Sequence, residues 1–277
     1  MDWDAPAIVL DARPFNEGDA IATVMTEEHG LHRGLARGGT SRAQVGLWQA
    51  GNLVQVRWVA RLSDQLGSFS AEMIHAGAAF VMDDPLALAM LSSLCAVAEG
   101  ALPEREPHPR VFHGLVHLVA RLPRGAVMLN DLILWETALL AELGYGLDLT
   151  SCALTGETTG LAFVSPRTGR AVTEAAAGIW KSRLLRLPDF LAGGITDDTA
   201  DASAPDASAP DAGAPDACAA GWRDGLALTG HFLARDVFGA QHRPLPRARQ
   251  MLYDRVAALA GESSTTEPTT TGGSNAG

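Results

Sequence analysis

Between residues 6 and 77 the apolar positions recur every second residue, and from Asp84 onward the period lengthens to that of a helix. Ala7-Ile8-Val9-Leu10 begins a first strand, closed by Pro14 and Gly18-Asp19. Ile21, Thr23 and Met25 alternate with small or polar residues over 20–27, and after a His29-Gly30 turn Leu31, Arg33 and Leu35 alternate over 31–37. Gly38 to Arg42 then reads as a flexible loop without apolar residues. In LVQVRWVARL (53–62) Val54, Val56, Trp58 and Ala60 share one face and Arg57 and Arg61 the other; SFSAEMIHA (68–76) is the fifth strand. Five short strands with one long loop at 38–50 suit a small closed barrel of the oligonucleotide-binding (OB) type. An SH3-like barrel or a small sandwich would give the same pattern.

Asp84-Pro85 forms an N-cap and first-turn pair. Leu88, Leu91, Leu94, Cys95 and Ala98 follow on one helical face. PEREPHP (103–109) makes a rigid connector to a helix carrying Val111, Phe112, Leu115, Leu118, Val119 and Leu122. A third helix spans about 129–143 and ends at Gly144. LAFV, SPRTG and RAVT (161–173) read as a hairpin beneath Cys152, and SRLLRLPDFL (182–191) as one more helix broken at Pro188. The repeat DASAP-DASAP-DAGAP (201–215) cannot bury a core, so 195–221 reads as a disordered insertion between packed helices. Folding resumes at Trp222, Pro246 opens a last helix with Met251, Leu252, Val256 and Leu259, and a polar tail follows. The expected divisions are 1–78, a barrel; 79–194, helical, with the hairpin region 147–175; 195–221; 222–261, helices packing on the helical part; and the disordered tail 262–277.

Charge changes this picture only once it is located. The chain has net charge −11, but six aspartates lie within 197–216 and two glutamates in the tail. Setting those eight aside leaves 24 acidic residues against 21 basic ones, so local clusters decide what the folded part attracts. Three widely spaced cysteines argue against a disulfide framework and for a reducing cytoplasm. Asp2 and Asp4 stand where a secretory signal would be basic, and no apolar run reaches the roughly 20 residues of a membrane span.

No catalytic constellation emerges: GxxxxGK[ST], strand-linked GxGxxG and HExxH are all missing. His113 and His117 share a helix face at metal-pair spacing without a third ligand placed by sequence. Cys152 opens CALTG, half a zinc knuckle with Thr155 in place of the second cysteine, so neither a metal nor another cofactor is expected. The arginines remain. Arg33, Arg37, Arg42, Arg57 and Arg61 fall on neighbouring strands or the loops beside them, and several cations on one surface are what phosphate binding needs; a solvated basic loop is the other reading. Trp48, Trp58 and Phe69 are candidate stacking faces, with Trp58 better placed for the core.

Longer stretches then bring a family into view. RPFNEGDAIATVMTEEHGLHRGLARGG (13–39), LGSFSAE (66–72), DDPLAL (83–88), LPEREPHP (102–109), WETALLAELGYGLDLTSCALTG (135–156), FVSPRTGRAV (163–172), LTGHFLARDVF (228–238) and RPLPRARQML (243–252) together resemble the bacterial RecO family of DNA-repair proteins. The resemblance implies an α+β protein: an N-terminal five-stranded OB-fold barrel, then an α-helical domain with a small degenerate zinc-knuckle-like hairpin. It also implies a cytoplasmic, non-enzymatic recombination mediator, nucleoid-associated during repair. Such a protein binds single- and double-stranded DNA, anneals complementary strands, and acts with RecR and the C-terminal tail of single-stranded-DNA-binding protein to load RecA. A protein-interaction adaptor with little direct DNA contact is the alternative. Some members hold zinc through four cysteines; only Cys152 is kept here.

Overall fold

Small side chains make the barrel possible. The computed structural model describes residues 1–62, 65–193 and 215–263. Strands β1 (Asp2–Phe15), β2 (Asp19–Thr26), β3 (Gly30–Ala36), β4 (Leu53–Val59) and β5 (Ser68–His75) close in the order β1-β2-β3-β5-β4. This is the expected OB topology; β3 and β5 pair in parallel, all other neighbours antiparallel. Ala7, Val9, Ala20, Ala22, Val24, Ala36, Val54 and Val56 line the interior, and Trp48, Trp58 and Phe69 fill it. Their exposures of 3%, 3% and 6% remove all three as stacking faces for a ligand. The 41–48 loop that carries Trp48 is ordered by turn bonds such as Val45 N–H to Ser41 O, 2.8 Å. Asn52 holds it, donating to Gly46 O at 2.7 Å. The long loop expected at 38–50 is thus held by its own turn bonds over 41–48.

The first strand is longer than its apolar core suggested. β1 pairs with β4 through Asp2–Ile8 and with β2 through Ala7–Phe15, changing register between Val9 and Asp11. That bulge bends one strand so that it serves both neighbours and closes the sheet.

The face of β2 that alternation marked as buried turns out to be one of two. Ala20, Ala22 and Val24 point into the barrel, while Met25 points outward with Ile8, Leu10 and Leu31 into the helical core. Burying each of those four contributes on the order of 1.5–3 kcal/mol, enough to fix the barrel against the helices.

Helix α1 (Gly77–Phe80) leads to α2 (Pro85–Ala101), α3 (Pro109–Arg121) and α4 (Leu129–Glu142). Asp84 Oδ1 accepts from the backbone of Leu86 (2.8 Å) and Ala87 (3.1 Å), capping α2 as its position implies. α2 buries Ala87, Met90, Leu91, Leu94, Cys95, Val97 and Ala98, whereas Leu88 is 40% exposed. The whole stripe of α3 anticipated above is buried. β6 (Leu161–Val164) and β7 (Ala171–Thr173) form the expected hairpin, followed by the short α5 (Glu174–Ala177). The segment read as a broken helix is instead a third strand: β8 (Leu185–Arg186) pairs with β6, and Leu187 N–H donates to Ala162 O at 3.0 Å. An open edge on β6 offered the bonds that a run interrupted by Pro188 could not make internally.

α6 (Pro215–Phe232) continues through a π-helical turn (Leu233–Phe238) and α7 (Arg247–Ser263) completes the described fold. Residues 215–221 are therefore helical. The remainder of the stretch set apart as an insertion, and the tail from 264, lie outside the described residues. On α7 Leu252 and Val256 are buried, but Met251 (57%) and Leu259 (38%) face solvent. Arg249 takes the inward position, 1% exposed.

Candidate nucleic-acid interface

The five barrel arginines separate by partner. Arg33 leaves the outer face of β3 and meets two carboxylates, one in α2's last turn and one just beyond it: its Nη2 lies 2.9 Å from Glu99, and its Nη1 donates to Glu104. Arg13 approaches Glu99 at 3.9 Å, Glu27 meets His113 at 3.2 Å, and Leu31 bridges Glu104. This charged rim surrounds the Met25–Leu31 contact, so Arg33 belongs to the barrel–helix junction. Gly30 explains how closely the two meet. Its φ is +62°, and a Cβ there would stand 2.1 Å from Glu106 O.

Arg57 is exposed and pairs with Asp2 at 2.9 Å. Arg37, Arg42 and Arg61 are exposed, and none has a carboxylate partner among the described residues. Arg37 directly follows Ala36, which pairs with Phe69; Arg57 pairs with Ser70, the next residue. Those two arginines therefore stand one strand apart across the start of β5. Arg61 lies just past the end of β4. Arg42 sits in the loop whose start is tied back by Gly38 N–H to Asp19 Oδ1, 2.8 Å, and by Thr40 N–H to Gly18 O, 3.1 Å. The 103–109 connector adds one cation the sequence did not single out: Arg105, at φ +64°, donates to Gln65 O at 3.2 Å in the loop that also carries Arg61. Only the fold joins those segments.

Sequence comparison supplies the family. The description "Recombination protein O N terminal" matches residues 1–76, and "Recombination protein O C terminal" matches 82–244. The chain belongs to the RecO family. A protein named DNA repair protein RecO from Granulibacter bethesdensis is 56% identical over 260 residues, covering 94% of this chain and 97% of that one. Those of Gluconacetobacter diazotrophicus and Acidiphilium cryptum are 52% and 54% identical, over 94% and 92% of this chain and 96% of each relative. RecO membership carries a role in DNA repair and recombination. No helix among the described residues is long and apolar enough to cross a membrane.

The hairpin region carries a single cysteine. Cys152 is buried under the hairpin and accepts from Thr173 N–H at 3.4 Å. Burial pushes the thiol up, but hydrogen bonds from Thr155 and from the backbone of Thr173, Leu154 and Thr155 outweigh it and bring it to about 6. Among the described residues no three of His, Cys, Asp and Glu converge as metal ligands, so this site does not fit zinc. His113 and His117 do not act as a pair either. His113 turns to Glu27, while His117 Nε2 lies 2.7 Å from Arg121 Nη1, and burial with that guanidinium lowers its pKa.

At the barrel mouth Trp3 stacks on His29 (centroids 4.4 Å apart) and on Trp58 (5.9 Å), with His32 edge-on to both tryptophans. Burial holds His32 below the usual imidazole range; the His29 carbonyl opposes this and Arg105 adds to it. These aromatic faces are already used within the protein.

Proposed function

We propose that this chain is a non-enzymatic recombination mediator that binds single- and double-stranded DNA and anneals complementary strands. In this reading Arg37, Arg42 and Arg61 grip phosphates, Arg57 joins them by leaving Asp2, and Arg33 anchors the barrel to the helices. The supporting observation is that the first three are exposed and, among the described residues, have no carboxylate partner, in a chain of net charge −11. A free guanidinium beside phosphate releases counterions on binding, and neutralising phosphate repulsion is what bringing two strands together requires. The helical part would dock RecR and the C-terminal tail of single-stranded-DNA-binding protein, leading to RecA loading. Arg37→Ala with Arg42→Ala should weaken single-strand binding and flatten the log Kd–log salt slope by about 1.4, two contacts' worth. Unchanged affinity and slope would defeat the assignment.

A second reading, an adaptor with little DNA contact, draws on exposed apolar residues from the end of β5 to just past α1: Met73 (43%), Ile74 (49%), Phe80 (61%) and Met82 (64%). Salt-dependent binding of labelled single-stranded DNA by the full chain separates the two.

A further inference from the structure

Away from the barrel, the hairpin region gathers cations around an exposed indole. Residues 165–186 hold Arg167, Arg170, Lys181, Arg183 and Arg186 against the single carboxylate Glu174. Lys181 pairs with Glu174, and Arg170 with Asp148 at 3.1 Å. Arg167, Arg183 and Arg186 have no carboxylate partner among the described residues. Gly178 turns the chain with φ +48° and open space around it. The next two residues, Ile179 and Trp180, are 88% and 54% exposed. Trp180 is the only exposed tryptophan of the six. Arg183 lies over its ring, 5.2 Å from the centroid.

The same indole forms part of the wall of a cavity of about 310 Å³, whose other walls include Ala153, Val172, Ala176 and Ala177. Ser165, Thr168 and Arg170 supply polar groups along it. Apolar walls of alanines, Val172, Leu154 and Leu184 beside one broad aromatic face leave a slot suited to a flat ring. Polar groups in the slot can meet the edge of that ring, and the surrounding arginines suit the phosphates on either side of it. An extended apolar partner would use the indole and the alanines but would leave the cations without a role.

We propose that this cleft takes one unstacked base of single-stranded nucleic acid on Trp180, with Arg167 and Arg183 on the flanking phosphates. The inference rests on the DNA-binding reading above and adds a second contact, one that only unpaired strands can use, since a paired base is not free to leave its stack.

The test uses the full chain and an oligothymidylate of about 35 nucleotides, longer than the footprint of one OB fold. Stacking should quench tryptophan emission in the native protein, and Trp180→Phe should abolish that quench. Trp180→Ala should weaken single-strand binding roughly tenfold while leaving affinity for a duplex of equal length within about twofold. The position is exposed, so matched thermal unfolding of both variants should exclude a folding defect. Single-strand binding with unchanged emission and unchanged Trp180→Ala affinity would overturn the cleft assignment and leave the barrel reading standing. Failure of the native chain to bind either nucleic acid would defeat both. A Trp180-dependent complex with an acidic, apolar-ended peptide that oligothymidylate cannot displace would overturn it in favour of a protein partner.

Discussion

Arginine is used in opposite ways at the centre of the helices and on the barrel surface. Arg249 of α7 and Glu136 of α4 are each 1% exposed, with Arg249 Nε 2.5 Å from Glu136 Oε1. Arg249 Nη2 reaches Glu136 Oε2 at 3.0 Å and donates to Leu226 O at 2.8 Å, and Thr229 of α6 donates to Glu136 Oε2 at 2.5 Å. Three helices are thus joined by one charge pair in which both Glu136 oxygens and the Arg249 Nε and Nη2 have protein partners. Arg37, Arg42 and Arg61 are exposed and have no carboxylate partner among the described residues. A buried pair costs heavily to desolvate and more heavily to break, whereas an exposed cation contributes almost nothing to folding. Arg33 is intermediate: 39% exposed, it is tied to Glu99, itself 13% exposed, and Glu104. What separates the three cases is the carboxylates that other elements bring near.

The comparison breaks first at the buried pair. Glu136→Ala or Arg249→Ala should cost about 3–5 kcal/mol, read as a lower urea midpoint, because each strands the opposite charge. Replacing both with leucine should cost far less than the sum of the single changes, as a double-mutant cycle would reveal. At the other extreme, Arg37→Ala/Arg42→Ala/Arg61→Ala should reduce the salt slope of single-strand binding by about 2 while changing stability by less than about 0.5 kcal/mol. Arg33→Ala should do the reverse: a loss of at most about 1 kcal/mol, smaller in high salt, with the DNA salt slope unchanged. A changed slope there would move Arg33 from the junction to the interface.

The smallest effect is expected at the barrel mouth. Because burial lowers the folded pKa of His32, its contribution is complete above the unfolded value near 6.5. It is lost as pH falls from there through the folded value. His32→Gln should flatten the decline of unfolding free energy below pH 6.5, with His117, shifted in the same direction, keeping some slope in both proteins.

Local pattern reached far into this fold. Alternation located all five barrel strands, Asp84-Pro85 started α2, and the stripe from Val111 to Leu122 is buried as a whole. It failed where two environments accept the same residues. Leu184, Leu185 and Leu187 suit a short helix or a strand alike, and only the free edge of β6 chose the strand. Met25 and Val24 lie on opposite faces of β2, and both are buried because a barrel interior stands on one side and a helical core on the other. Trp48, in a loop, is core because that loop folds back across the barrel. Nothing in the sequence sets buried Arg249 apart from the exposed Arg247 and Arg255 of the same helix.

By itself, then, the order of residues determined the five barrel strands, the 161–173 hairpin, the helices from α2 to α4 and the family to which the chain belongs. Those properties follow from periodicity, caps and motifs that act over a few residues. The tertiary structure decided which arginines meet carboxylates among the described residues, because Arg33 and Glu99 or Arg249 and Glu136 meet only when distant elements pack. An arginine's role is set by the charges within a few ångströms of it, and sequence spacing does not specify that distance.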